Sequence, residues 1–138
     1  MTTIIPTLKY NDAVAAIEWL CLAFGFQKHL ILPDETGVIL HAQLTFGSGM
    51  IMLGSVRDSP FDRLQKTPEA VGGLGTQSAY IIVDDVNAHY RQALSAKAEI
   101  VMPPEDQNYG GLMYACRDPE GHLWNFGSYN PWLAVSAR

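Results

Sequence analysis

The stretch Arg117-Asp118-Pro119-Glu120-Gly121-His122-Leu123-Trp124-Asn125-Phe126-Gly127-Ser128 decides how the rest of the chain is read. Its first part is an acidic Pro-Gly turn. Its second part alternates large apolar with polar side chains, the two-residue period of a half-buried strand. A fainter copy stands earlier, Gly47-Ser48-Gly49-Met50-Ile51-Met52-Leu53-Gly54-Ser55. Leu53-Gly54-Ser55 and Phe126-Gly127-Ser128 lie 73 residues apart.

Both halves spell the same order of elements. Residues 3–10 read as a strand, with Pro6 suggesting an edge or a bulge. Asn11 or Asp12 can cap a helix carrying Val14, Ile17, Cys21 and Phe24 at helical spacing, and Gly25 can stop it. Strands follow at 26–32, 38–46 and 50–56, the last two joined by a Gly-rich hairpin turn. The second half begins with a strand at 77–83. Asp84 or Asp85 caps a helix with Val86, Tyr90, Ala93 and Leu94 on one face. A short strand at 100–102 is interrupted by Pro103-Pro104, and Glu105 to Gly110 reads as a polar loop. Strands at 111–117 and 122–128 close the pattern. The expected fold class is α+β: two tandem βαβββ modules forming a curved mixed sheet around a concave site, helices on the outer side. The expected organisation is a single domain over 1–138, with module 1 at about 1–57, a linker at about 58–76, module 2 at about 77–129 and a C-terminal tail at 130–138. At the offset of 73, Asp12 meets Asp85, Ala42 meets Ala115, and His41 meets Tyr114.

Composition narrows the function classes. A chain of 138 residues buries a sizeable core without staples. Its net charge of −5 includes no basic cluster, which argues against nucleic acid and favours a cationic ligand if a charged one binds. Cys21 and Cys116 form no CxxC pair. No basic leader or long apolar run marks a signal peptide or a membrane span, so the expected location is the cytoplasm. Nucleophile elbow, phosphate loop and dinucleotide fingerprint are all missing. Gly47-Ser48-Gly49 lacks the Lys and helix of a P-loop, and Asp118-Pro119-Glu120-Gly121 has too few oxygens for a calcium loop.

The doubled module, Tyr10-Asn11-Asp12, His41-Ala42-Gln43-Leu44, Val83-Asp84-Asp85-Val86 and the Asp-Pro-Glu-Gly turn together resemble the vicinal oxygen chelate superfamily, which includes glyoxalase I, extradiol dioxygenases and bleomycin-resistance proteins. The resemblance covers nearly the whole chain. It implies two modules around a cup, and a homodimer that completes the cups between chains. In metal-dependent members it also implies a divalent cation held on the first and last strands of each module. Those positions here are Ile5, Ser78, Met52 and Asn125. Neither carboxylate nor imidazole stands at any of them, and an isoleucine, a hydroxyl, a thioether and an amide do not make a divalent-metal site. A slip of one residue does not improve the set. The chain therefore resembles the branch that binds an organic molecule without metal or other cofactor.

Of the four histidines, His29, His89 and His122 read as ordinary surface or capping residues. His41 lies in mid-strand, with Gln43 and Thr45 on its side and Leu40, Ala42 and Leu44 on the other. The expected ligand-binding set is His41, Gln43, Met52, Ser78, Tyr114 and Asn125, with no metal ligand. The expected function is metal-independent binding of a small organic molecule, drug sequestration being its concrete form, in a homodimer. The alternative is a divalent-metal-dependent lyase, isomerase or dioxygenase of the same superfamily, with His41 as the starting point, so whether the chain is an enzyme stays open.

Overall fold

The computed structural model describes residues 2–133. The end of the expected tail, 134–138, lies outside the described residues. Module 1 comprises β1 (Thr7–Tyr10), α1 (Ala13–Phe24), β2 (Gln27–Pro33), β3 (Ile39–Phe46) and β4 (Gly49–Ser55). Module 2 comprises β5 (Ala79–Ile82), α2 (Val86–Ser95), β6 (Glu99–Asp106), β7 (Leu112–Arg117) and β8 (Leu123–Gly127). Each module forms its own four-stranded mixed sheet, in the orders β1-β4-β3-β2 and β5-β8-β7-β6. The first and last strands pair in parallel, and the other neighbours pair antiparallel. The doubled βαβββ order is therefore the architecture.

Both helices start the same way. The Asp12 carboxylate accepts from Ala15 N at 3.1 Å and the Asp85 carboxylate from Ala88 N at 3.0 Å, each satisfying one orphan amide of the first turn. Gly25 ends α1 at φ 89°, a left-handed conformation that glycine adopts without a Cβ penalty. The buried stripe of α1 is Ala13, Ala16, Ile17, Leu20, Ala23 and Phe24. Val14, expected inside, is 52% exposed. The alanines take its place because their small side chains let the helix approach the sheet closely.

One expectation about the strands changes. The chain runs through Pro103-Pro104 as one strand, β6, rather than stopping at 102. β6 is an edge strand, so missing amides on its outer side cost no ladder bond. Met102 pairs with Ala115 and Glu105 with Met113, which leaves the two prolines opposite Tyr114 alone, a bulge. In the tail, Trp132 and Leu133 are exposed at 86% and 77% and do not pack on the body, although Tyr129 does pack on Tyr109.

The two modules share one core. Phe24 of α1 meets Trp124 and Phe126 of β8 with ring centroids at 5.5 and 4.6 Å, and Phe26 meets Trp124 at 5.7 Å. Burying such rings contributes on the order of 2–3 kcal/mol each. The turn at 118–121 locks the modules together with polar bonds. The buried Asp118 carboxylate accepts from Tyr10 Oη at 2.6 Å, Trp124 Nε1 at 3.0 Å, Glu120 N at 3.0 Å and His122 N at 3.1 Å. The Glu120 carboxylate accepts from the amides of Asn11 and Asp12 at 2.6 and 2.8 Å, a negative charge at the N-terminus of α1. His122 Nε2 lies 2.8 Å from the carbonyl of Lys9 and donates to it. Burial and the neighbouring Asp118 carboxylate hold the Tyr10 phenol well above its ordinary pKa, so it stays a donor.

Replacing Asp118 with Asn keeps the shape and removes the charge that two buried donors share. Asp118→Asn is expected to cost about 2–4 kcal/mol in urea unfolding of the purified protein, with a larger loss for Asp118→Ala. A loss below about 0.5 kcal/mol for both, the range of an ordinary surface change, would show that the turn does not hold the modules.

Candidate functional site: two open sheet faces

Each sheet has one face under its helix and one face open. On β3, Ala42 and Leu44 are buried toward α1, and His41, Gln43 and Thr45 point the other way. On β4, Ile51 and Leu53 go inward and Met50 and Met52 outward. The register sets Met52 beside Gln43 on one side and beside Thr7 on the other. Leu30 lies across from Gln43 and Leu32 across from His41. His41, Gln43 and Met52 therefore come together with the exposed apolar side chains Leu30 and Leu32. The Gln43 amide nitrogen stands 3.0 Å from His41 Nε2. An amide nitrogen only donates, so in this arrangement Nε2 accepts and the imidazole proton sits on Nδ1.

Module 2 repeats the plan. Asn125 faces outward beside Tyr80 and Ala115. Its Nδ2 donates to Ser78 Oγ at 2.8 Å and to Ala79 O at 3.0 Å. Both amide hydrogens are used inside the chain, and Oδ1 has no hydrogen-bond partner among the described residues. Ser78 and Asn125 are thus brought together, whereas Met52 lies on the face of the other module. The same face carries the partly exposed Tyr80, Met102 and Leu123.

Tyr114 is the correction. It is fully buried on the helix side of β7, stacked on Phe126 at 5.3 Å and bonded to His89 at 2.7 Å. The register explains it. Leu53 pairs with Ala42 and Phe126 with Tyr114, so Tyr114 corresponds to Ala42 and Met113 to His41. The strands β3 and β7 are related by 72 residues, whereas β4 and β8 are related by 73. Side chains alternate with a period of two, so one residue of slip moves a side chain to the opposite face.

The six expected residues do not close into one pocket within a chain. The helix-side residues of both modules belong to the same core, and the two open faces turn away from it. Two concavities lie elsewhere. One is bounded by Phe46, Asp84, Asp85, His89 and Gln92, and the other by Tyr10, Trp19, Leu20 and the turn at Asp118. None of the six lines either.

Sequence reading missed one feature of the module 1 face. Lys9 shares the outward side of Met52, and its Nζ is 2.9 Å from Asp62. Both residues are buried. Asp62 also accepts from Ser59 Oγ at 2.6 Å and Arg57 N at 2.8 Å, and these bonds, reinforced by Lys9, hold its carboxyl well below the usual carboxylate range. Gln65 Nε2 donates to Thr7 O at 2.8 Å. The segment 57–66, read from sequence as an undistinguished linker, is strapped along β1. The mixed charges of Arg57, Asp58, Asp62 and Arg63 were the visible signal, without any indication that Lys9 was the partner.

The donor set does not fit a divalent cation. Among the described residues, no three His, Cys, Asp or Glu side chains converge. Met52 and Asn125 offer a thioether and an amide oxygen on separate faces, and Ser78 already accepts from Asn125.

The chain belongs to the Glyoxalase/Bleomycin resistance protein/Dioxygenase superfamily, which matches residues 6–126. It is 32% identical to TioX from Micromonospora sp. ML1, whose crystal structure superposes with a TM-score of 0.74 over 94% of this chain and 100% of that one. An uncharacterized protein of Mycobacterium tuberculosis strain ATCC 25618 / H37Rv is 31% identical over 122 residues, 88% of this chain and 71% of the relative. A bleomycin resistance determinant encoded on the transposon Tn5 shares the fold at 22% identity and a TM-score of 0.65, over 94% and 99% of the two chains. No helix among the described residues is long and apolar enough to cross a membrane.

Of the histidines expected to be ordinary, His29 is exposed, while His89 and His122 bridge the modules. His89 Nε2 is 2.8 Å from Phe24 O, so it must donate, and Nδ1 accepts from the Tyr114 hydroxyl. Burial lowers the pKa of His89 below its ordinary 6.5, and the Phe24 carbonyl opposes this only in part. Below pH 6.5 the unfolded chain takes up a proton that the folded chain resists, so stability is whole above that pH. It declines as pH falls toward the folded value. Urea unfolding at pH 7.5 and pH 5 is expected to show a larger loss for the wild type than for His89→Gln. Equal losses would mean that His89 does not titrate as its burial requires.

Proposed function

We propose that this protein binds a small organic molecule without a metal, in a cup formed when the module 1 face of one copy meets the module 2 face of a second. The carrying observation is that each chain leaves both faces open, each with a polar pair set among apolar side chains. On module 1 the pair is His41–Gln43, flanked by Met52, Leu30 and Leu32. On module 2 it is Ser78–Asn125, flanked by Tyr80 and Leu123. Apolar walls with a few oriented polar groups are what a small-molecule site needs. Met52 gives an adaptable surface, and Asn125 Oδ1 and the His41–Gln43 pair fix the ligand's orientation.

Sequestration is the concrete form of this reading. The face chemistry supplies grip and orientation but no paired acid and base in reach of one another. The superfamily includes bleomycin-resistance proteins, which supports the reading. The net charge of −5 favours a cationic ligand.

Two measurements on untagged protein test this. Elemental analysis is expected to find far less than one equivalent of Zn, Ni, Fe or Mn per chain. A thermal-shift series with bleomycin and flat aromatic drugs is expected to raise the melting temperature for at least one compound, and Asn125→Ala and Met52→Ala should each reduce that shift. About one equivalent of metal whose removal destroys ligand binding or an activity would overturn the reading in favour of a metal-dependent lyase, isomerase or dioxygenase.

A further inference from the structure

The open face of module 2 ends in an aromatic corner. Tyr80 runs over Gly127 so closely that a Cβ there would sit 2.5 Å from its hydroxyl and 2.8 Å from its ring. Tyr80 Oη donates to Tyr129 O at 2.7 Å. The Tyr129 ring meets Tyr109 edge to face with centroids at 4.8 Å. Tyr109 Oη in turn lies 3.4 Å from Met113 Sδ and donates to it. Gly110 and Gly111 have φ of 117° and 74°, and a Cβ on Gly111 would strike Ser128 Oγ at 2.7 Å and Tyr129 N at 2.8 Å. These glycines therefore seat the 107–111 loop against Tyr129 and fix Tyr109 in place.

The hydroxyl hydrogens of Tyr80 and Tyr109 are both spent inside the chain. What the corner presents is ring surface, a thioether and the single hydroxyl of Tyr129, with Tyr80 36% and Tyr109 45% exposed. One hydroxyl is a poor match for an oxyanion, which needs several convergent donors. The surface suits a flat ring, and the negative faces of phenol rings favour a positively charged one. Glu105 supports the same sign. It pairs with Met113 across the sheet, so its side chain shares that face, and its carboxylate meets no cation among the described residues.

We infer that Tyr80, Tyr109, Tyr129 and Met113 form a subsite for a planar aromatic cation, with Glu105 as the countercharge. This rests on the small-molecule reading above and names the class of ligand for one end of the same face. Stacking on the tyrosines holds the ring. Asn125, one row further along the sheet, meets whatever polar group the ligand extends toward the centre.

The test is titration calorimetry with proflavine, a flat cation, against acridine at pH 8 as its neutral analogue and anthracene-2-sulfonate as an anion. Proflavine is expected to bind tightest and the sulfonate weakest. Tyr109→Ala should weaken proflavine about tenfold, and Tyr109→Phe, which keeps the ring, should stay within about twofold. Glu105→Gln should weaken proflavine more than acridine. Melting temperatures of each variant separate loss of binding from loss of fold. Equal binding by wild type and Tyr109→Ala, equal binding of cation and sulfonate, or no proflavine binding at all would overturn the subsite. If Asn125→Ala still weakens another ligand in that case, the cup reading stands without the subsite.

Discussion

One buried carboxylate holds this molecule in its working shape. Asp118 sits where the two modules meet and accepts four hydrogen bonds, one of them from Tyr10, 108 residues earlier. A carboxylate taken out of water is costly unless its lone pairs are met, and here they are met by groups that must be in place together. Tyr10 ends β1, Trp124 lies on β8, and the two amides belong to the turn itself. Satisfying Asp118 therefore fixes the first strand of one module against the last strand of the other. Glu120 extends the lock to the first turn of α1, and His122 extends it to the backbone of Lys9.

The functional geometry follows from this lock. The modules join through their helix-covered sides, so the aromatic core from Phe24 to Phe126 lies between them. Both remaining sheet faces then point outward. Met52 and Asn125 are equivalent by sequence offset, but in one chain they lie on separate faces. The proposed cup, which uses both, takes one face from each of two copies. Within each face the chemistry is local. On module 2 Asn125 spends both amide hydrogens inside the chain, on module 1 Gln43 donates to His41, and each pair is surrounded by apolar side chains that water solvates poorly.

The doubled order of elements was legible in the sequence because the capping aspartates, the turn glycines and the Asp-Pro-Glu-Gly turn are local signals. So were the outward positions of His41, Gln43, Met52 and Asn125, which depend only on alternation within a strand. What depended on long-range register was not legible. Tyr114 was assigned to the open face because a constant offset of 73 was carried across both halves, and the true offset for that strand is 72. Two adjacent prolines announced a break, yet an edge strand with a bulge tolerates them. Lys9 gave no sign of its partner in the linker, because an ion pair across 53 residues leaves no mark on either neighbourhood. The tyrosine corner was equally hidden, since Tyr80, Tyr109 and Tyr129 come from three separate segments.

A cup assembled across two copies has a signature that no single-chain site shares. One variant carries Gln43→Ala and Met52→Ala on the module 1 face, and another carries Asn125→Ala on the module 2 face. Each is expected to bind ligand poorly alone. Unfolded together and refolded as a mixture, half of the pairs are heterodimers, and each of these has one cup made of two intact faces. Calorimetric titration of the mixture is predicted to recover about a quarter of the wild-type number of sites at wild-type affinity. A mixture that binds no better than the two variants measured separately would contradict it.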